Sequence, residues 1–203
     1  MFIGAQISLY PMTDDFVSVI TSSLEALGPW RDQLRMETDD ISTLLVGAPE
    51  VLFPALRDLY TAAASTRHHI VLRCTLSRGC PGEADDRICA TKALSAPDTP
   101  LANRQSAALK AVSAAQQKGE IARAQFSLYV MGDGDHMEEI YGCIDFLKQS
   151  GCFDRTKNFC TRIKGDAGPV FATIEQAFCR FGPPEGHVTM DLTVSANSPS
   201  VTD

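Results

Sequence analysis

The sequence predicts an α+β protein built by tandem duplication of one small unit, and three observations carry that reading. Ala5-Gln6-Ile7-Ser8-Leu9-Tyr10-Pro11-Met12 recurs as Ala124-Gln125-Phe126-Ser127-Leu128-Tyr129-Val130-Met131, with six of eight positions identical at an offset of 119. The likeness continues at an offset of 118, pairing Gly47 with Gly165, His69 with His187, and Ser77-x-x-x-Pro81 with Ser195-x-x-x-Pro199. Within each half, strand-like and helix-like stretches follow the order β-α-β-β-α-β, with one of the strands indistinct. A period this long is domain duplication and not a solenoid array.

The first half opens with a strand from Ile3 to Pro11, carrying the apolar Ile7 and Leu9. Thr13 reads as an N-cap with Asp14 and Asp15 in the first turn. Phe16, Val19, Ile20, Leu24 and Leu27 follow at helical spacing until Gly28-Pro29 stops the run. A strand near Ile41 to Val46 ends at Gly47, and Pro49 suits a helix start. Leu52, Leu56, Leu59, Tyr60 and Ala63 form one helix face, and His69 to Leu76 is the last strand. The missing strand is sought between Trp30 and Met36. In the second half the strands lie near Ile121 to Met131, Phe159 to Lys164 and His187 to Ser195. Its helices carry Met137, Ile140, Ile144 and Leu147, then Val170, Phe171, Ile174 and Phe178. The boundaries read as repeat 1 over 1–82, a linker over 83–119 and repeat 2 over 120–200. The linker ends in a polar, Ala- and Gln-rich helix over 101–118, expected on the surface, with Gly119 as its C-cap. The tail 201–203 is expected to fray.

Composition narrows the function. The 203 residues carry a net charge of -7 and no Lys/Arg cluster, which argues against nucleic acid and anionic membrane surfaces. No stretch is apolar enough to span a bilayer, and Met1 to Gln6 lacks the basic start of a signal peptide. The seven cysteines are odd in number and form no C-x-x-C pair, so reduced thiols in a cytoplasmic protein are expected. No metal site is indicated. No G-x-G-x-x-G, P-loop, H-E-x-x-H or serine elbow is present, and the reading leans away from catalysis.

Four strings then carry a resemblance: Ser8 to Phe16; Asp39 to Gly47 with its Ile41-Ser42-Thr43 core; His69-Ile70-Val71 leading to Gly79-Cys80-Pro81-Gly82; and Leu192 to Ser200. Together they resemble the YkoF family of thiamine/hydroxymethylpyrimidine-binding proteins, over both halves apart from the linker. The resemblance implies two ferredoxin-like subdomains with antiparallel sheets and helices on one face. It implies a homodimer, one thiamine site per repeat, and a role in thiamine uptake or salvage beside a membrane transporter. Thiamine would be a ligand, with no further cofactor. Carried over by position, the ligand-binding residues are Leu9 and Thr43 in repeat 1 and Leu128 and Thr161 in repeat 2. Asp40 and Val130 depart from the family pattern, at a position otherwise held by histidine and at the sister of Pro11.

The chemistry of those residues suits a flat aminopyrimidine. Main-chain N–H and C=O groups at a strand mouth can read its donor–acceptor edge, so Leu9 and Leu128 would serve through their backbone. A threonine hydroxyl donates and accepts from one small group. Thr43 is a polar group in an apolar stripe, as in many ligand pockets; it reads equally as a β-branched strand former with a locally satisfied hydroxyl. Tyr10 and Tyr129 are repeated aromatics suited to stacking or to ordinary sheet packing. Asp39 and Asp40, with Asp14 and Asp15, would favour a cation and predict free thiamine over its diphosphate, although Asp14 and Asp15 equally complement a helix dipole. His69 and His187 carry no assigned role. Two other readings remain: an amino-acid-sensing regulatory module of ACT type, and a small enzyme using Cys80, whose place in the other repeat is held by Ser198.

Overall fold

The computed structural model describes residues 3–79, 100–131, 136–182 and 186–200. In chain order the elements are β1 (Ile3–Met12), α1 (Phe16–Glu25), β2 (Arg35–Thr38), β3 (Thr43–Gly47), α2 (Pro49–Ser65), β4 (His69–Arg78), α3 (Leu101–Ser113), β5 (Ile121–Met131), α4 (Met137–Gln149), β6 (Phe153–Thr156), β7 (Thr161–Asp166), α5 (Ala167–Arg180) and β8 (His187–Ala196). The strands form one antiparallel sheet in the order β2-β3-β1-β4-β8-β5-β7-β6.

The duplication holds down to strand register. Ile7 faces Thr43 as Phe126 faces Thr161, and Leu9 faces Leu72 as Leu128 faces Met190. The two halves meet edge to edge along β4 and β8, and Cys74 pairs with Leu192, its own sister position. A local two-fold therefore runs through that pair. It explains the repeated histidines: His69 Nε2 lies 3.2 Å from Ser195 Oγ, and Ser77 Oγ lies 3.0 Å from His187 Nε2. Each repeat's histidine bonds the other repeat's serine. Arg73 and Asp191 are also sister positions and form an ion pair across the seam. Identical residues there would oppose like charges; duplication within one chain lets the two positions diverge to opposite sign.

The long strands β1, β4, β5 and β8 each bury one alternating set of side chains, and that set meets the helices. Ile3, Ala5 and Ile7 of β1, Ile70, Leu72, Cys74 and Leu76 of β4, and Val188, Met190, Leu192 and Val194 of β8 are all in the core. The opposite face is polar, with Arg73, Thr75, Asp191, Thr193, Arg123 and Gln125. On β4 the residues of that face are polar apart from Val71. The sister half does not cover that face, because it extends the sheet sideways instead. Over the helix face, α2 and α5 pack through Phe53 against Phe178 and Tyr60 against Phe171, with ring centroids 6.1 and 5.4 Å apart. The Tyr60 hydroxyl lies 3.0 Å from the carbonyl oxygens of both Ile121 and Ser195, its one proton shared between them, which ties repeat 1 to two strands of repeat 2.

Local differences from the sequence reading have local causes. The segment searched for the missing strand first forms a 3-10 helix, Gly28–Gln33, begun by Pro29, and only then becomes β2. Ile41 and Ser42 belong to the β2–β3 turn because the Asp39 carboxylate accepts from both their amides, so β3 starts at Thr43. Thr13 does not cap α1, which starts at Phe16; its hydroxyl accepts from the Asp15 amide at 3.3 Å, and Asp14 and Asp15 precede the helix. Helix α3 ends at Ser113, so Gly119 (φ +79°) serves the turn into β5 and not a helix cap. One side of α3 is buried through Ala108 and Val112. The tail 201–203 and Cys80 lie outside the described residues.

Glu175 on α5 is largely enclosed, and burial, reinforced by Glu50, pushes its carboxyl up to about 7 against the pull of Arg180 and Arg57. A raised acid binds its proton more tightly when folded. Its unfavourable contribution is absent below the unfolded value of 4.5, grows as the pH rises towards 7, and is complete above that. Glu175→Gln is therefore expected to stabilise the fold by about 2 kcal/mol at pH 8 and not at pH 4.5. Urea melts at the two pH values check this; equal gains at both would refute it.

Candidate functional site

Beside each first strand the sheet leaves an opening. Strand β7 pairs with β5 only as far as Phe126–Thr161, while β8 continues along the other side to Met131. From Ser127 onward the β7 side of β5 has no strand partner among the described residues. In repeat 1, β3 leaves β1 at Ile7–Thr43 while β4 continues to Met12. Leu128 and Leu9 sit on these uncovered stretches, two residues beyond the pairs that contain Thr161 and Thr43. The arrangement follows from chain length: β3 and β7 are short strands beside long ones.

In repeat 2 the opening is the floor of a cleft of about 350 Å³ between β5, α4 and the β6–β7 turn. Phe126, Leu128, Ile140, Cys143, Ile144 and Leu147 give it apolar walls, and Thr161, Asn158 and Lys157 supply polar groups. Burial pushes the Cys143 thiol up to about 12, so it is a wall residue and not a nucleophile. A separate concavity of about 610 Å³ lies against the polar sheet face, lined by Arg123, Arg155, Arg162, Lys164 and Asp154. It contains none of the ligand-binding residues expected from the sequence. Its cations are engaged in part, with Arg162 and Lys164 each 3.1 Å from Asp154. The smaller cleft better fits a flat, mostly apolar ring.

The structure places the sequence-predicted residues unevenly. Thr161 and Leu128 line the repeat 2 cleft. Thr43 is buried, and its hydroxyl lies 3.0 Å from that of Thr38, which leaves two further hydrogen-bond positions on a group with one donor and two acceptor sites. Tyr129 also borders the repeat 2 cleft; strand alternation points the Tyr10 and Tyr129 side chains towards the polar face, where each is about half exposed. Asp39 is committed to its turn: the amides of Ile41 and Ser42, both at 2.8 Å, hold its carboxyl below the usual range. Asp40 is exposed next to it.

Sequence reasoning missed a tether. Ser8 Oγ donates to the Ile41 carbonyl at 3.0 Å, and Ser127 Oγ donates to the Phe159 carbonyl at 2.5 Å. The serines were visible in the repeated string, but which carbonyl they hold depends on the turn coming back beside the first strand. Among the described residues no three His, Cys, Asp or Glu side chains gather to hold a metal ion, and no helix is long and apolar enough to cross a membrane.

Comparison with known proteins agrees with the duplication. The model of the YkoF-related family matches residues 2–83 and again residues 121–201. A protein of Bacillus subtilis strain 168, named "Putative HMP/thiamine-binding protein YkoF", is 37% identical over 199 residues, covering 97% of this chain and 91% of that protein. The family model's match to both repeats, with a relative 37% identical over 97% of the chain, shows that the chain belongs to the YkoF-related family.

Proposed function

We propose that the chain binds thiamine or its hydroxymethylpyrimidine half without chemical change, one molecule per repeat, with repeats over 1–82 and 120–200. The carrying observation is the stretch of strand edge left open beside a threonine hydroxyl at the same register in both halves. In this reading the main chain of Leu9 or Leu128 pairs with the aminopyrimidine edge, and the hydroxyl of Thr43 or Thr161 completes the set. The apolar walls sandwich the ring. The polar face, which no helix covers among the described residues, is the surface left for a second copy in a homodimer. The biological role would be thiamine uptake or salvage in the cytoplasm, alongside a membrane transporter. The name of the B. subtilis relative supports the ligand class.

Calorimetric titration with thiamine and with hydroxymethylpyrimidine tests this. Thr161→Val keeps the shape of the side chain and removes its hydroxyl, and is expected to weaken the repeat 2 site about tenfold while sparing repeat 1. Absence of heat with both ligands on the unaltered chain would refute the proposal.

A further inference from the structure

We propose that the openings beside the two first strands take different ligand classes: repeat 1 a cation such as a thiazolium-bearing ligand, repeat 2 an uncharged or anionic aminopyrimidine. This rests on the binding reading above and deepens it. The rims are built on one frame. The Asp39 amide donates to the Ser42 carbonyl at 3.0 Å, and the Lys157 amide donates to the Cys160 carbonyl at 2.9 Å. The serine tethers then fix both turns to their first strands. On this shared backbone the side chains diverge in charge: Asp39 and Asp40 in repeat 1 stand where Lys157 and Asn158 stand in repeat 2.

Neither charge is loosely placed. The Asp39 carboxylate is held by turn amides, and those bonds keep it ionised. Lys157 lines the cleft, and its Nζ donates to Gln125 Oε1 at 2.9 Å, which fixes the ammonium beside the first strand. The next residue adds a second distinction. Phe159 lines the cleft yet is 89% exposed, whereas its sister Ile41 is 75% exposed and has no ring. An aromatic ligand would bury the Phe159 ring and gain a stacking surface that Ile41 cannot offer. Opposite rim charges a few ångströms from a ligand shift its preference by several-fold at low salt and less at high salt.

The test is calorimetry on the full chain at low and high salt. The ligands are thiamine, hydroxymethylpyrimidine and hydroxymethylpyrimidine phosphate, and each site is assigned by its loss in Thr43→Val or Thr161→Val. The expected result is a preference for thiamine over hydroxymethylpyrimidine about fivefold stronger in repeat 1 than in repeat 2. Asp39→Asn with Asp40→Asn retains the turn acceptor, and should erase that excess. Lys157→Asp with Asn158→Asp should move repeat 2 towards thiamine. Both shifts should shrink at high salt. Two sites with the same preference within twofold, or preferences unmoved by these changes, would overturn the division while leaving the binding reading intact. No binding of any of the three ligands would overturn both.

Discussion

Replacing Arg78 by Met is expected to destabilise the fold by about 3 kcal/mol. Arg78 closes β4 and is only 3% exposed. Its guanidinium donates to the carbonyls of Phe178 at 3.1 Å and Phe181 at 2.8 Å, and lies over the Phe178 ring. These carbonyls end α5, where the chain's own hydrogen bonds run out and the helix dipole is negative. Arg104 of α3 serves the same end, donating to the Arg180 carbonyl at 2.7 Å while holding Glu139 through both nitrogens. A strand of repeat 1 and the linker helix thus cap a helix of repeat 2. Burial lowers the affinity of Arg78 for its proton, but a guanidinium remains charged. Methionine fills most of the volume and donates nothing, so buried carbonyls lose their partner. Arg78→Lys should recover only part of the loss, because one ammonium cannot match the spread of a planar fork. Urea denaturation measures both; a loss under 1 kcal/mol for Arg78→Met would show that the cap is dispensable.

Gly168→Ala should be comparably damaging, by about 3 kcal/mol, for a steric reason. A Cβ at Gly168 would fall inside the carbonyl group of Gln116, a main-chain atom that cannot rotate away. The turn it strikes is already fastened. Asp166 caps α5 by accepting from Gly168 at 2.8 Å, and also accepts from the amides of Lys118 at 2.8 Å and Gly119 at 2.7 Å. Partial burial pushes the Asp166 carboxyl up, but these amides more than reverse this, leaving it below its usual range. Its stabilising contribution is therefore present at neutral pH and fades only as the pH falls through that lowered value. Moving the linker to admit a methyl would break this cluster. Gly4→Ala, where a Cβ would meet nothing within 4 Å, is the control and should be close to neutral. Thermal melts of the two variants side by side check the expectation; equal stability would mean the linker is free to move.

Much of the fold was legible because duplication prints itself in the residues. Ala5 to Met12 and Ala124 to Met131 must bury the same face of the same strand, so their apolar and polar positions coincide. The long helices α2 and α5 announced themselves through periodic apolar positions. The short strands β2 and β6 did not: four residues carry too little periodicity, and the turn chemistry of Asp39 shifted the start of β3 by two places. The candidate site was legible only in part. Thr43 and Thr161 stand out as hydroxyls in apolar strands, but the stretch of strand edge beside them exists only once β3 and β7 stop short.

Taken alone, the sequence determined the repeat, the order of its elements and the family resemblance, because these depend on local pattern and spacing. Tertiary structure alone decided that the halves share one sheet and that, among the described residues, no helix covers its second face. It also paired His69 with Ser195 and His187 with Ser77, and aimed Arg78 at a helix end in the other repeat. Those contacts join residues more than 90 positions apart, and their geometry depends on which strand edges meet, a choice made by burial of the whole helix face and not by any local run of residues.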